Sequence, residues 1–222
     1  RRKIMSVTLY GYWRSLAAYR VRVALNLKGV EYQEIAVDLA AGQQFDVSFD
    51  KLNPQHVVPL LIHDGLEISQ SMAIMEYINE RWPSLNLLPV DLFDKAKVRA
   101  LALVTIADTH PLIVPRVRRL LGDHWGLSEN QQFQWAQHWF TVGNSAIEKM
   151  LIKEARSKTY AFGDDLTIAD IALVSHAIGA ALFKVDMTLT PTFEKIVSNC
   201  MEIPAFVKAH PLKQSGAPPR II

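Results

Sequence analysis

Cysteine is nearly absent from this 222-residue chain, which contains Cys200 alone. A single cysteine excludes an internal disulfide and a Cys-x-x-Cys redox pair, and it favours a reducing, cytoplasmic location. No secretory signal is expected, because the basic residues Arg1 to Lys3 are not followed by a long apolar run. The apolar stretch 168–183 is interrupted by polar residues and is too short to span a bilayer, so no membrane partner is expected.

A large excess of one charge is also missing, since 24 Lys and Arg residues against 22 Asp and Glu residues give a net charge of +2. No basic run interleaved with aromatic residues is present, so we predict no nucleic-acid partner. The seven histidines lack the spacing of metal ligands, so we predict no metal. Half of the residues are hydrophobic, which suffices for the core of one large domain or of two small ones.

The first 80 or so residues have the pattern of a small α/β domain. Stretches 6–10 and 32–37 predict strands, and stretch 16–28 between them predicts a helix that Gly29 ends. A helical crossover makes two strands parallel. Stretch 53–77 then predicts an antiparallel hairpin, with its turn at Asp64-Gly65, followed by a helix. The result is a mixed sheet.

The remainder of the chain predicts helices only. Apolar residues recur with a helical period in stretches 94–121, 129–155 and 167–184, and Pro111 and Pro115 should kink or break the first of these. We therefore predict a small α/β domain over 5–83, a linker over 84–92 and an all-helical domain over 93–222.

Two helix starts carry polar signals. Thr167 and Asp170 have the spacing of a capping box, which we interpret as a folding device. The segment Ser69-Gln70-Ser71 should open the helix after the hairpin, where a serine hydroxyl can cap backbone N–H groups and those groups can attract a carboxylate. From these residues alone, an ordinary hairpin followed by a helix is the favoured interpretation.

These motifs together resemble the cytosolic glutathione transferases, and within them the zeta class, the maleylacetoacetate isomerases. The order and spacing match over nearly the whole chain. The matching segments are Val57 to Pro59, Gln70-Ser71, the Thr167–Asp170 box, and residues 12–15, 19–25, 52–54, 108–111 and 183–186.

The resemblance implies a thioredoxin-like N-terminal domain, an all-α C-terminal domain and a homodimer. It also implies that glutathione is the cofactor and that a small-molecule acid of aromatic amino acid catabolism is isomerised from cis to trans.

A glutathione site is implied along the hairpin. Pro59 would follow a cis peptide bond, and the Val58 backbone would pair with glutathione as an added strand does. Ser71 and Gln70 would hold the γ-glutamyl group at the helix start, and His56 would contact the glycyl carboxylate.

Catalysis is implied at Ser15, whose hydroxyl would donate a hydrogen bond to the glutathione thiolate at the start of the first helix. A helix cap is the alternative role of Ser15, and Tyr10 and Tyr12 are rival donors. Arg14 and, in the helical domain, His110 and Arg116 are candidates for binding the substrate anions.

The chain departs from the zeta pattern on the substrate side. Leu16, Ala17 and Ala18 replace the usual serine, cysteine and serine, and Ile113 and Val114 replace paired asparagines. Leu182 replaces an arginine that is associated with substrate carboxylates. Two alternatives therefore stay open, a general glutathione transferase or dehalogenase, and a binding protein without activity.

Overall fold

The computed structural model describes residues 6–219, which form two compact units. The first unit contains the described residues up to Leu85 together with those from Ile203 onward, and the second unit is Asn86–Glu202. The predicted helical domain 93–222 therefore ends too late, because the described residues from Ile203 onward pack with the first unit. The linker 84–92 stays a prediction.

The first unit is built on a four-stranded sheet with the strand order β2-β1-β3-β4. Strand β1 is parallel to β2 and antiparallel to β3, and β3 pairs antiparallel with β4, so the predicted mixed sheet is confirmed. The elements are β1 (Val7–Gly11), α1 (Leu16–Leu27), β2 (Gln33–Ala36), α2 (Val47–Leu52), β3 (Leu60–His63), β4 (Leu66–Ser69), α3 (Ser71–Arg81) and α10 (Pro204–Ala209).

The hairpin forms as its turn residues predict. Asp64 and Gly65 have φ values of 51° and 87°, the left-handed conformation that a two-residue turn requires. Before the turn, β3 places Leu60 and Leu61 in the core, where both are almost completely buried. The tight turn therefore lets β4 pair with β3, which in turn pairs with β1.

Helix α1 is the central helix of the first unit. All ten residues from 16 to 25 are buried, including two arginines. Helices α3 and α10 both pack against it, and Asn26 Nδ2 donates to the Ala205 carbonyl oxygen at 3.2 Å. This contact explains why the end of the chain belongs with the first unit.

The second unit is helical. Its elements are α4 (Leu92–Leu103), a π-helix (Val104–Thr109), α5 (His110–Ile113), α6 (Pro115–Trp125), α7 (Glu129–Lys153), α8 (Ile168–Leu182) and α9 (Pro191–Met201). Within residues 6–219, the helical run Leu92–Trp125 is long and apolar enough to cross a membrane by length and composition alone, a test that core helices of soluble proteins also pass.

The predicted helix 94–121 is interrupted by a π-turn and a break. Pro111 lies inside α5 directly after the π-helix, whereas the break falls at Val114, which is extended at φ −62° and ψ 152°. A residue before proline avoids the helical region, so Pro115 accounts for this break. Proline is well tolerated at the first position of the new helix.

The predicted capping box of α8 is confirmed. Asp170 is fully buried and accepts hydrogen bonds from the Thr167 backbone N–H and hydroxyl and from the Ala161 backbone N–H, each at 2.8 Å. Burial nevertheless raises the pKa of Asp170 to about 6, because the loss of water outweighs these hydrogen bonds. The box thus joins α8 to the segment before it.

Candidate active site

A free length of backbone lies at the start of β3. The Val58–Pro59 peptide bond is cis, as the resemblance implied. The Val58 side chain is buried, but its backbone N–H and carbonyl have no hydrogen-bond partner in the described part of the chain. A peptide ligand could therefore pair with Val58 as an added strand does.

Asn53 holds this segment in place. Its side chain donates from Nδ2 to the Val57 carbonyl oxygen at 2.8 Å and accepts the Gln55 backbone N–H at 3.2 Å. Asn53 is 2% exposed, so these bonds are shielded from water. Sequence reasoning assigned it no role. The available signal in the sequence was an asparagine directly before a proline, a pair typical of turns.

The start of α3 is the second part of the site. Gln70 precedes it with φ 70° and ψ 116°, a conformation that residues other than glycine rarely adopt. Its Nε2 donates to Gln55 Oε1 at 2.9 Å. Strain of this kind persists where the surrounding structure enforces it, and functional sites are common locations.

The expected serine cap on α3 is wrong. Ser71 is already the first residue of the helix, and no described side chain caps the helix start. The Ser71 hydroxyl instead accepts a hydrogen bond from Arg20 Nε at 3.1 Å. No acidic residue occupies the first turn. The backbone N–H groups at this end can therefore bind a carboxylate.

Ser15 is the N-cap of α1. Its Oγ accepts the Ala18 backbone N–H at 3.1 Å, and its own backbone N–H donates to the Tyr12 carbonyl oxygen at 2.9 Å. Capping uses the oxygen of the hydroxyl and leaves its proton free to donate. The two predicted roles of Ser15, helix cap and thiolate donor, are thus compatible.

An ion pair fixes the loop before Ser15. Arg22 Nη2 donates to the Tyr12 carbonyl oxygen at 3.0 Å, the same oxygen that accepts the Ser15 N–H, and to Glu34 Oε1 at 2.6 Å. A side chain on Gly11 would collide with the end of the Glu34 side chain, so glycine leaves room for this ion pair. Sequence reasoning missed this cluster, whose signal is an arginine among apolar helix residues.

The rival donors Tyr10 and Tyr12 are both partly buried against one hydrophobic cluster, made of Val37, Phe49, Val58 and Leu60. The ring centroid of Tyr10 lies 5.9 Å from that of Phe49. Neither tyrosine begins a helix, so of the three candidates Ser15 has the added field of a helix N-terminus.

His56 and Arg14 differ in their surroundings. His56 Nε2 lies 2.7 Å from Asp50 Oδ1, so one of its two ring nitrogens is engaged. Its predicted contact with a glycyl carboxylate would have to use the other nitrogen. Arg14 lies in the loop before α1 and is exposed to solvent.

The second unit contains the other two predicted anion-binding residues. His110 follows the π-helix directly and is the first residue of α5, and Arg116 lies exposed in the first turn of α6. Trp135 Nε1 donates to the Leu112 carbonyl oxygen at 2.8 Å, which fastens α5 to α7. π-Helical turns are frequent at functional sites.

Arg118 lies close to the position where the zeta-class arginine is missing. Its Nε donates to the Ile113 carbonyl oxygen at 3.0 Å, and its guanidinium lies 5.2 Å from the ring centroid of Phe183, the neighbour of Leu182. Arg118 therefore does not belong to a freely solvated basic face. Arg119 is exposed.

Metal-binding and thiol chemistry have little support here. Within residues 6–219, no group of three or more His, Cys, Asp or Glu side chains could hold a metal ion. Cys200 is buried, and burial raises the pKa of its thiol well above its ordinary value.

Comparison with known proteins identifies the class. Residues 5–80 match the glutathione S-transferase N-terminal domain family. The crystal structure of maleylacetoacetate isomerase from Methylobacterium extorquens AM1 with bound malonate and GSH superposes with a TM-score of 0.93 at 40% identity, covering 96% of this chain and 100% of that one. The predicted fold class is confirmed, since the chain has the architecture of a glutathione transferase.

Two curated relatives narrow this class. A probable maleylacetoacetate isomerase of Vibrio cholerae is 38% identical, covering 96% of this chain and 100% of the relative. The maleylpyruvate isomerase of a Ralstonia species is 37% identical, with coverage of 93% and 97%. The chain belongs to the zeta class of glutathione transferases, the maleylacetoacetate isomerase family.

Proposed function

We propose that this protein catalyses the glutathione-dependent cis–trans isomerisation of maleylacetoacetate or of a maleylpyruvate-like acid. The observation that carries the proposal is the combination, within one compact unit, of the unpaired Val58 backbone, the uncapped start of α3 and the Ser15 hydroxyl at the start of α1. These three features match the three parts of glutathione that must be held, namely its peptide backbone, its γ-glutamyl carboxylate and its thiol.

The residues present fit glutathione. The Val58 N–H and carbonyl supply the pair of backbone groups that a peptide ligand needs. The first-turn N–H groups of α3 and the Ser71 hydroxyl supply donors for the γ-glutamyl carboxylate, and Gln70 helps to orient that group. His56 would contact the glycyl carboxylate through its remaining ring nitrogen.

Bound glutathione would supply the thiolate that adds to the cis double bond, permits rotation about the resulting single bond and is then eliminated to leave the trans isomer. Ser15 has to keep the sulfur ionised at neutral pH. A hydrogen bond to the charged form and the positive end of the α1 dipole both lower the pKa of a thiol.

The substrate has to be held by cations, because its carboxylates are charged and negative charge develops on its conjugated carbonyl. Arg14, His110 and Arg116 are the residues that we assign to this role. Positive groups aimed at developing charge stabilise the transition state.

We also propose that the protein is a cytoplasmic homodimer. Several large apolar side chains are exposed in each unit, including Phe45 and Val47 in the first and Leu92 and Phe93 in the second. Exposed apolar patches are typical of protein interfaces. The proposed location rests on the single buried Cys200 and on the family.

The proposal is tested by following the ultraviolet absorbance of maleylacetoacetate and, separately, of maleylpyruvate with purified protein, with and without glutathione. We expect isomerisation that requires glutathione. Glutathione binding without isomerisation of either acid would refute the proposed reaction and leave the general transferase as the better assignment.

Leu182→Arg probes the substrate side in the same assay. It restores the cation usual in the family, and we expect kcat/KM for the dianionic acid to rise by roughly tenfold, the value of one added charge-assisted hydrogen bond. Leu189→Arg adds the same charge at a site that is 84% exposed and serves as the control. An equal response of both variants would mean that net charge alone acts.

A general glutathione transferase or dehalogenase is the second candidate, favoured by Leu182, Ile113 and Val114 at positions where the zeta class has polar or charged residues. Its signature would be conjugation of small electrophiles or release of halide. A protein that is folded but is not retained on immobilised glutathione would instead be a binding protein of another kind.

A further inference from the structure

A buried guanidinium lies behind the start of α3. Arg20, on α1, is 1% exposed, and its Nε donates to Ser71 Oγ at 3.1 Å. Ser71 is the first residue of α3 and is 3% exposed. Burial lowers the pKa of Arg20 to about 9, so the guanidinium remains protonated at neutral pH.

The hydrogen bond from Arg20 determines what Ser71 can do. Because the hydroxyl oxygen already accepts from Arg20, the hydroxyl's own proton is directed elsewhere, and no described residue accepts it. A buried donor without an acceptor is costly, and such groups in native proteins usually have a ligand or a water as partner. A hydroxyl that accepts a hydrogen bond from a cation is also polarised, which strengthens the hydrogen bond that its own proton donates.

The helix start adds to this arrangement. Among residues 6–219, no side chain caps α3, and its first turn contains no acidic residue. The unpaired N–H groups of that turn, the Ser71 proton and the Arg20 charge all favour an anion at the same point.

We propose that Arg20 is a positioning residue for glutathione binding, which orients the Ser71 hydroxyl toward the γ-glutamyl carboxylate and contributes its charge from behind that hydroxyl. The proposal rests on the glutathione site proposed above and names the residue that makes the site selective for a carboxylate. Arg20 does not touch the ligand and acts through Ser71.

Arg22 serves as the control for a purely structural role of a buried arginine on α1. It lies on the same helix and is 0% exposed, but it binds Glu34 and the Tyr12 carbonyl oxygen instead of Ser71. If Arg20 served only to fasten α1 to α3, its loss would resemble the loss of Arg22 and would weaken all ligands alike.

The test is calorimetric titration of the full-length protein with two ligands, glutathione and the analogue in which the α-carboxylate of the γ-glutamyl group is an amide. For Arg20→Met we expect the Kd of glutathione to rise by roughly tenfold, the value of a hydrogen bond to a charged group, and that of the amide analogue to change little. For the control Arg22→Met we expect the ratio of the two Kd values to equal that of the wild type.

Dependence on Ser71 is tested in the double variant. Because Arg20 acts through the hydroxyl, Arg20→Met should add little to the loss of selectivity caused by Ser71→Ala, so the two effects should not be additive. Additive effects would overturn the positioning role. Equal weakening of both ligands by Arg20→Met would overturn it as well.

A measurement on the wild type guards against a variant that does not fold. In ¹⁵N spectra, the Nε–H signal of Arg20 should move on addition of glutathione but not of the amide analogue. If both ligands bind and the signal moves equally with each, the proposal is wrong. If glutathione does not bind at all, the proposed function itself fails, and this outcome is distinct from loss of selectivity alone.

Discussion

Replacing Ser15 by alanine should separate two contributions of one hydroxyl. The Ser15 oxygen caps α1 through the Ala18 N–H at 3.1 Å, and loss of such a cap costs about 1 kcal/mol of unfolding free energy. Its proton is the proposed donor to the glutathione thiolate, and a hydrogen bond to a charged group contributes about 1.5–3 kcal/mol. The pKa of the bound thiol should therefore rise by about 1–2 units in the variant.

The assay is the ultraviolet absorbance of the thiolate in the protein–glutathione complex as a function of pH, together with the rate of isomerisation. In Ser15→Ala, the rate at neutral pH should fall by about ten- to a hundredfold and should recover partly at higher pH, where the thiol ionises without assistance. Ser15→Thr keeps a hydroxyl at the helix start and should retain most of the activity.

Ser128→Ala is the matched control for the cap. Ser128 caps α7 in the same way, accepting the Gln131 backbone N–H at 3.3 Å. It should lower the unfolding free energy by a similar amount and leave the thiol pKa unchanged. If Ser15→Ala behaves like Ser128→Ala in both measurements, Ser15 is only a cap. Tyr10→Phe and Tyr12→Phe would then identify the donor.

Three further predictions concern strain, burial and close packing. Gln70→Gly should raise the unfolding free energy by about 1 kcal/mol, because glycine tolerates the positive φ, while weakening glutathione binding in titration. Asp170 has a folded pKa of about 6 against an unfolded value near 3.9, so the folded state holds more protons between these values and loses stability as pH rises through them. Denaturation from pH 4 to pH 7 should therefore show the wild type losing about 2 kcal/mol relative to Asp170→Asn, and a constant difference would contradict this. Gly143→Ala would place Cβ 2.5 Å from Thr109 Oγ1 and should cost about 1–3 kcal/mol in thermal unfolding. Gly122→Ala, whose one close contact is with the flexible end of Gln132, should be neutral or stabilising, and equal losses in both variants would be the contrary result.

Local features of the fold could be predicted from the sequence because they depend on neighbouring residues. The turn at Asp64-Gly65 requires positive φ at both positions, and both residues have it. The Thr167–Asp170 box requires two polar side chains three residues apart, and it forms as predicted. The parallel pairing of β1 and β2 follows from the helix between them.

The resemblance in turn placed the candidate site. It implied the cis bond before Pro59 and the position of Ser15 at a helix start, and the structure shows both. The assignments of Gln70 and Ser71 to the γ-glutamyl group and of His110 and Arg116 to the substrate remain predictions. The sequence by itself therefore determined the mixed sheet of the first 80 residues, the starts of α1, α7 and α8, and the resemblance to the family.

Tertiary structure decided which distant residues meet. Arg20 lies 51 positions from Ser71, and only the packing of α1 on α3 brings their side chains together. Arg22 and Glu34 reach the loop before Ser15 in the same way, from separate elements. Sequence periodicity predicts which face of a helix is buried. Arginine is rarely buried, so the apolar pattern does not predict a buried arginine. Its partner is set by the three-dimensional path of the chain, because a buried charge needs hydrogen-bond acceptors wherever the fold supplies them.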